Sequence, residues 1–99
     1  MPRVMFTISY SIRAERREEY LSLIAQMKQH LNTVEKNNYS VYEAKGKPNQ
    51  FTEIFLTNSI DEFDALDEGQ DEKTEELVSK IEELVDEGSK KYNTLIEHE

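Results

Sequence analysis

Hydrophobic and polar residues alternate most regularly near the start of the chain, over residues 4–12. One side of this segment carries Val4, Phe6, Ile8, Tyr10 and Ile12, and the other side carries Met5, Thr7, Ser9 and Ser11. A period of two residues is typical of a β-strand with one buried face. We therefore predict a strand whose hydrophobic side packs against helices.

Over residues 13–35 the hydrophobic residues recur at spacings of three and four, the period of a half-buried helix. The predicted buried stripe consists of Tyr20, Ile24, Met27, Leu31 and Val34, widened by Leu21 and Leu23. The pair Asn37-Asn38 then breaks the helical pattern.

Two aromatic and β-branched segments follow, at residues 39–44 and 51–57. Their composition favours strands, and the short turn at residues 46–49 predicts that they form an antiparallel hairpin.

A second helical region begins at Ser59, three residues before Glu62, a spacing at which each side chain can cap the other's backbone N–H. Gly69 is predicted to divide this region into a short helix and a longer one over residues 71–87. The apolar stripe of the longer helix consists of Leu77, Val78, Ile81, Leu84 and Val85. Gly88 is predicted to end it in the left-handed conformation.

With a last alternating segment at residues 92–98, the element order becomes β-α-β-β-α-β. This order predicts a single ferredoxin-like α+β domain over residues 1–99, with a four-stranded antiparallel sheet and helices on one face. We expect the uncovered face to carry Met5, Thr7, Ser9 and Ser11, together with Phe51, Glu53, Phe55 and Thr57. Apolar groups on such a face need a partner, which favours a homodimer.

Charge and composition exclude several classes of protein. The net charge is -9, with an excess of +3 in residues 1–50 and of -12 in residues 51–99. A negative field repels phosphate backbones, so nucleic-acid binding is not expected. The chain has no cysteine for disulfide or thiolate chemistry, and it has no apolar run long enough to cross a membrane. We expect a cytoplasmic protein.

The chain length, the element order and the half-polar, half-aromatic free face resemble the dimeric α+β barrel superfamily. This superfamily includes antibiotic-biosynthesis monooxygenase-like, EthD-like and stress-responsive barrel proteins. The resemblance implies two sheets packed face to face, a ligand pocket between sheet and helices, and activities that range from cofactor-independent oxygenation to haem breakdown and isomerisation. The Asn, Trp and His set of its quinol and haem oxygenases is not matched, because the chain has no Trp and neither His30 nor His98 lies in such a motif.

Glu53 is the first candidate for chemistry, because Phe51 and Phe55 flank it on the same side of its strand. Aromatic surroundings would raise the pKa of its carboxyl group and suit it to act as a general base. The alternatives are a salt bridge between subunits or a position at the open mouth of a barrel, and Glu43 across the hairpin is a possible like-charged neighbour. His30 is the second candidate base, the alternative being a boundary residue that reaches water.

On the sheet face we expect Thr7, Ser9, Tyr42 and Phe55 to contact a ligand. The acidic segments lack the spacing of a calcium loop, and no phosphate-binding or zinc motif occurs, so no metal or cofactor is expected.

Two hypotheses of function remain open. The first is a homodimer that binds a small hydrophobic or aromatic ligand, with cofactor-independent, monooxygenase-like chemistry that uses Glu53 or His30. The second is a non-catalytic module that docks a partner through its acidic helices. A cavity lined by His30, a tyrosine and a carboxylate together would favour the first.

Overall fold

The computed structural model describes residues 2–34, 37–66, 71–86 and 88–98. Its elements, in chain order, are β1 (Val4–Ser11), α1 (Arg17–Gln29), β2 (Asn38–Glu43), β3 (Gln50–Thr57), α2 (Ile60–Asp64), α3 (Glu72–Glu82) and β4 (Lys91–Ile96). A 3₁₀ turn at Ala14–Arg16 leads into α1, and a π-helical turn at His30–Val34 follows it. Among the described residues, no helix is both long and apolar enough to cross a bilayer.

The four strands form one sheet in the order β2-β3-β1-β4. All three strand pairs are antiparallel, and the β2–β3 hairpin turns through Gly46 and Asn49, which both have positive φ. The predicted ferredoxin-like fold is therefore confirmed.

The predicted orientation of β1 is also confirmed. Val4, Tyr10 and the following Ile12 are almost fully buried on the side that faces the helices. Opposite them lie the buried residues of α1 and α3, which are Tyr20, Leu23, Ile24, Met27, Leu77 and Ile81. The alternation of β1 and the stripes of the two helices thus build one hydrophobic core.

The predicted orientation of β3 was wrong. In the antiparallel register, Phe51 lies beside Tyr10, Glu53 beside Ile8 and Phe55 beside Phe6. Residues that are directly opposite each other share a face of the sheet. Consequently Glu53 and Phe55 face the helices and not the uncovered side. A period of two divides a strand into two sets of residues, but the pairing register decides which set is covered.

The uncovered face carries the other set of residues from each strand. Met5 pairs with Leu56 on one side and Leu95 on the other, which makes one end of the face apolar. The opposite end is polar, with a hydrogen bond of 3.0 Å between the hydroxyl oxygens of Ser9 and Thr52.

Several helix boundaries differ from those predicted. The helix predicted to start at residue 13 begins as an α-helix at Arg17, and α3 ends at Glu82, before the predicted end at residue 87. Leu84 is fully buried in the turn after α3, and Val85 bridges to Ile12. Gly88 has a φ of 85°, as expected of a left-handed residue, although it lies beyond the helix.

The capping of the second helical region is close to the prediction. The Ser59 side chain accepts the N–H of Glu62 at 3.1 Å, while the Glu62 carboxylate accepts the N–H of Asn58 and not that of Ser59. The predicted break at Gly69 lies outside the described residues.

Candidate functional site

A cavity of about 660 Å³ lies between the helix-facing side of the sheet and the helices. Its apolar wall is formed by Phe6, Ile8 and Phe55 from the sheet and by Met27, Leu31 and Ile81 from the helical side. Apolar walls with a few polar groups are typical of small-molecule sites, and the volume falls within the usual range for them. The polar groups therefore decide what the cavity can do.

Glu53 is a buried carboxylate in the cavity wall, with only 7% of its surface exposed. The hydroxyl of Tyr39 donates to its Oε1 at 2.6 Å, and the hydroxyl of Tyr10 donates to its Oε2 at 2.7 Å. The Tyr20 hydroxyl lies 2.7 Å from that of Tyr10. Because Tyr10 donates to Glu53, its oxygen is left to accept from Tyr20. Each carboxylate oxygen is thereby held in place by a phenol.

The protonation of this cluster follows from its burial. Burial raises the pKa of Glu53, and the hydrogen bonds from Tyr39 and Tyr10 together with the charge of Lys90 oppose that rise without cancelling it. Burial, followed by the negative charge of Glu53, raises the pKa of both Tyr10 and Tyr39. The phenols therefore remain donors, and Glu53 is the member of the cluster that gains or loses a proton most readily.

A cation stands at another part of the wall. The Lys90 ammonium is paired with the Glu82 carboxylate and lies 5.5 Å from the centre of the Tyr92 ring. Partial burial lowers the pKa of Lys90, but the hydrogen bonds and charges of Glu82 and Tyr92 together outweigh it, and the pKa lies above its ordinary value. Lys90 therefore remains protonated and is a poor nucleophile.

Thr74 contributes a buried side chain to the wall. This residue is 2% exposed and lines the cavity, and its Oγ1 has no hydrogen-bond partner among the described residues. A buried hydroxyl without a partner is costly. The Oγ1 atom is enclosed, so this hydroxyl is not open to the cavity.

His30 does not line the cavity. Its Nε2 lies 2.9 Å from both carboxylate oxygens of Asp71, and the side chain is buried. Asp71 also accepts the backbone N–H of Thr74 at 2.9 Å as the N-cap of α3. The bond from Thr74 and then that from His30 hold the pKa of Asp71 well below its usual range. His30 thus joins the end of α1 to the start of α3. The sequence analysis predicted either a base or a boundary residue that reaches water, and neither describes this contact.

The predicted ligand contacts are divided between the two faces of the sheet. Thr7, Ser9 and Tyr42 lie on the uncovered face, whereas Phe55 lines the cavity. Phe55 and Glu53 are the predicted site residues that the structure brings together. The cavity contains a tyrosine and a carboxylate, but not His30.

Glu43 is not a neighbour of the Glu53 carboxylate. Both of its oxygens are bound by the Arg17 guanidinium, at 2.5 and 2.8 Å, and Oε2 also accepts the N–H of Asn49. The bonds from Arg17 and Asn49 lower the pKa of Glu43 to about 2. This exposed pair fastens the start of α1 to the β2–β3 turn.

The sequence interpretation missed the phenols that hold Glu53. Tyr10 could have been found from its place in the buried set of β1, and Tyr39 from its place at the start of β2, but only the register brings them to one carboxylate. Lys90 had no signal in the hydrophobic pattern, since it precedes β4 in a polar segment.

The four strands form one antiparallel sheet with helices on one face and a cavity between the two layers. Solved structures with this fold match nearly the whole chain. They include a Caulobacter crescentus protein assigned as an antibiotic biosynthesis monooxygenase (TM-score 0.81, 11% identity, 98% of this chain and 91% of that one). Another is a conserved protein from Methanosarcina mazei (TM-score 0.80, 16% identity, 96% and 92%).

A third is a form of SnoaB, a cofactor-independent oxygenase from Streptomyces nogalater (TM-score 0.76, 11% identity, 98% and 94%). No protein-family model and no curated protein matches the sequence. At these identities the similarity shows a shared fold and does not by itself assign a family or an activity.

Proposed function

We propose that the protein binds a small hydrophobic or aromatic compound in the cavity between sheet and helices. The observation that carries the proposal is a buried carboxylate, Glu53, in the wall of a cavity that also presents the apolar side chains of Phe6, Ile8 and Phe55. Docking through the acidic helices is the weaker hypothesis, because exposed carboxylates such as those of Glu72, Glu75 and Glu76 on α3 are ordinary for a solvated helix face and do not themselves indicate a partner.

Glu53 accepts a proton from the bound compound in this proposal. An acidic O–H or C–H bond of the ligand breaks, its proton moves to a carboxylate oxygen of Glu53, and the electron pair stays on the ligand. Burial supports this role because it makes the carboxylate a stronger base than one in water. Tyr10 and Tyr39 are positioning residues, since their hydrogen bonds fix the direction of the carboxylate.

The same proposal includes a homodimer. The uncovered face of the sheet presents Met5, Ile54, Leu56 and Leu95 at one end, and Leu95 is 53% exposed. Apolar groups arranged on one face favour association with a second copy, which would leave the cavity on the opposite side of the sheet open to a ligand.

Deuterium exchange into β-tetralone tests the proton transfer, because this aryl ketone is hydrophobic and has an acidic C–H. We expect NMR shifts from residues that line the cavity and faster exchange in D₂O in the presence of the protein. Glu53→Gln should slow the catalysed exchange by about a hundredfold or more while the ketone still binds.

Glu43→Gln is the matched control, because Glu43 lies outside the cavity and should leave both measurements unchanged. Binding without catalysed exchange would retain the ligand site and remove Glu53 as a base. The absence of binding by any hydrophobic probe would overturn the proposed function.

A further inference from the structure

The charges around the cavity restrict the ligands that it can accept. Its described lining includes three carboxylates, Glu53, Glu62 and Glu82, and two cations, Arg3 and Lys90. Each cation already has a carboxylate partner. Lys90 is paired with Glu82, and the Arg3 guanidinium contacts Glu97, with its Nη2 2.7 Å from Oε2.

An anionic ligand would therefore find no free cation among the described lining residues. The charge of Glu53 has no cationic partner in contact with it, and its hydrogen bonds come from neutral phenols. A ligand with a negative charge would approach this carboxylate in a partly buried site, where repulsion is only weakly screened. Ligands that carry a positive charge gain from the same arrangement.

Aromatic rings line the wall beside the carboxylate. The Phe6 ring lies 6.2 Å from both Phe55 and Tyr92, measured between ring centres. Glu53, Ile8 and Tyr92 are neighbours across three adjacent strands, so the rings and the carboxylate share one part of the sheet. Ring faces attract cations. The position of the Lys90 ammonium over Tyr92 shows that an ammonium group fits against this wall.

We propose that the cavity selects its ligand by charge and prefers an aromatic compound that carries a protonated amine. The aromatic part packs against Phe6, Phe55 and Tyr92, and the amine donates to Glu53. The net charge of -9 adds a long-range attraction for cations. This inference rests on the proposed function, because it names the class of ligand for the same cavity.

Three probes with one ring system test the preference. Naphthylmethylamine is a cation at neutral pH, naphthylmethanol is neutral, and naphthoate is an anion. Isothermal titration calorimetry with the wild-type protein should show the amine binding about tenfold more tightly than the alcohol, because a charge-assisted hydrogen bond is stronger than a neutral one. The carboxylate should bind more weakly than the alcohol.

The Glu53→Gln variant tests whether Glu53 causes the preference for the amine over the alcohol. Glu53→Gln should reduce the advantage of the amine to about threefold or less and leave the affinity for the alcohol nearly unchanged. Glu43→Gln, a carboxylate outside the cavity, should retain the full advantage. The wild-type ranking is a sufficient test even if the Gln variant does not fold.

The outcomes separate the two proposals. If the alcohol binds but the amine binds no better, or the carboxylate binds equally well, the charge preference is overturned and the ligand cavity stands. A full amine advantage in the Glu53→Gln variant would overturn the assignment to Glu53. If none of the three probes binds, both the charge preference and the proposed function are overturned.

Discussion

Glu53 shows how one buried residue can be both costly to the fold and useful to a site. Removing a carboxylate from water costs several kcal/mol unless other groups satisfy it. Here two phenols supply one hydrogen bond to each oxygen. These bonds compensate only in part, since the pKa of Glu53 remains raised. A neutral side chain in place of Glu53 would therefore cost the fold less free energy than this buried carboxylate does.

The first prediction follows from this raised pKa. An unfolded glutamate has a pKa of about 4.3, and the folded group has a higher one. The folded state then binds more protons than the unfolded state above that value, so stability falls as pH rises from about 4.3 through the folded pKa. Each unit of difference corresponds to about 1.4 kcal/mol. Glu53→Gln removes this dependence, and its stability relative to wild type should increase as the pH rises above about 4.3.

Urea unfolding of both proteins at several pH values measures the difference. Glu43→Gln controls for an exposed carboxylate, whose pKa is lowered by Arg17 and which stabilises the fold above its unfolded pKa. A relative stability of the Glu53 variant that falls with rising pH would show that the folded protein stabilises the charged form of Glu53.

The second prediction concerns Tyr39, whose hydroxyl donates a hydrogen bond to Oε1 of Glu53. Tyr39→Phe keeps the ring against Phe55, at 4.7 Å between centres, and removes only the donor. The change should cost about 1 to 3 kcal/mol at neutral pH, because a buried carboxylate oxygen loses its partner. Tyr42→Phe, on the exposed side of the same strand, should have almost no effect. Equal urea midpoints for the two variants would contradict the role given to Tyr39.

The sequence predicts those features of this site that depend on neighbouring residues in the chain, and not those that depend on contacts between distant segments. Glu53 stands out because two aromatic residues flank it, and that alone indicates a perturbed carboxylate. Its partners Tyr10 and Tyr39 lie on two other strands, and the pairing register that joins them is set by packing over the whole sheet. His30 was misread for the same reason, because its contact Asp71 is 41 residues away in the chain.

At the level of elements, the hydrophobic period located the four strands and three helices, but their ends were less accurate. The helix over residues 71–87 was extended too far because Leu84 and Val85 continue the stripe of α3. In the structure Leu84 is buried and Val85 is partly buried after the helix has ended, and Val85 pairs with Ile12. A buried loop residue and a buried helix residue give the same hydrophobic signal.

The third prediction tests the packing of α3. Leu77 is 4% exposed and belongs to the core, whereas its neighbour Val78 is 36% exposed at the cavity. Leu77→Ala should destabilise the protein by about 2 to 5 kcal/mol, because a cavity remains in a close-packed core. Val78→Ala should cost clearly less. Chemical denaturation of the two variants measures both values, and a larger cost at Val78 would mean that α3 is rotated about its axis.

At the scale of the whole molecule, the sheet has two faces with different tasks. The helices cover one face and leave a cavity against it, and the other face lacks any covering element in the described chain. β4 lies at the edge of the sheet and all six of its residues are exposed. An exposed sheet face with apolar groups at one end is the physical basis for the proposed dimer.

The last prediction places a charge on that face. Leu95 lies on the uncovered side of β4 and pairs with Met5, and it is 53% exposed in one subunit. Leu95→Asp should therefore leave the subunit folded but put two carboxylates into a symmetric interface, since each substitution occurs twice. Burying an unpaired charge is unfavourable, so dimerisation should weaken by about tenfold or more. Leu21→Asp, an exposed leucine on α1, is the matched control.

Sedimentation equilibrium of the wild type and both variants measures the association. We expect twice the subunit mass of 11.6 kDa for the wild type and for Leu21→Asp, and a shift toward the subunit mass for Leu95→Asp. A wild-type monomer would overturn the proposed dimer. A dimer that is weakened by Leu21→Asp and not by Leu95→Asp would place the interface on α1, because the exposed surface of that helix would then be the one at which a charge disrupts association.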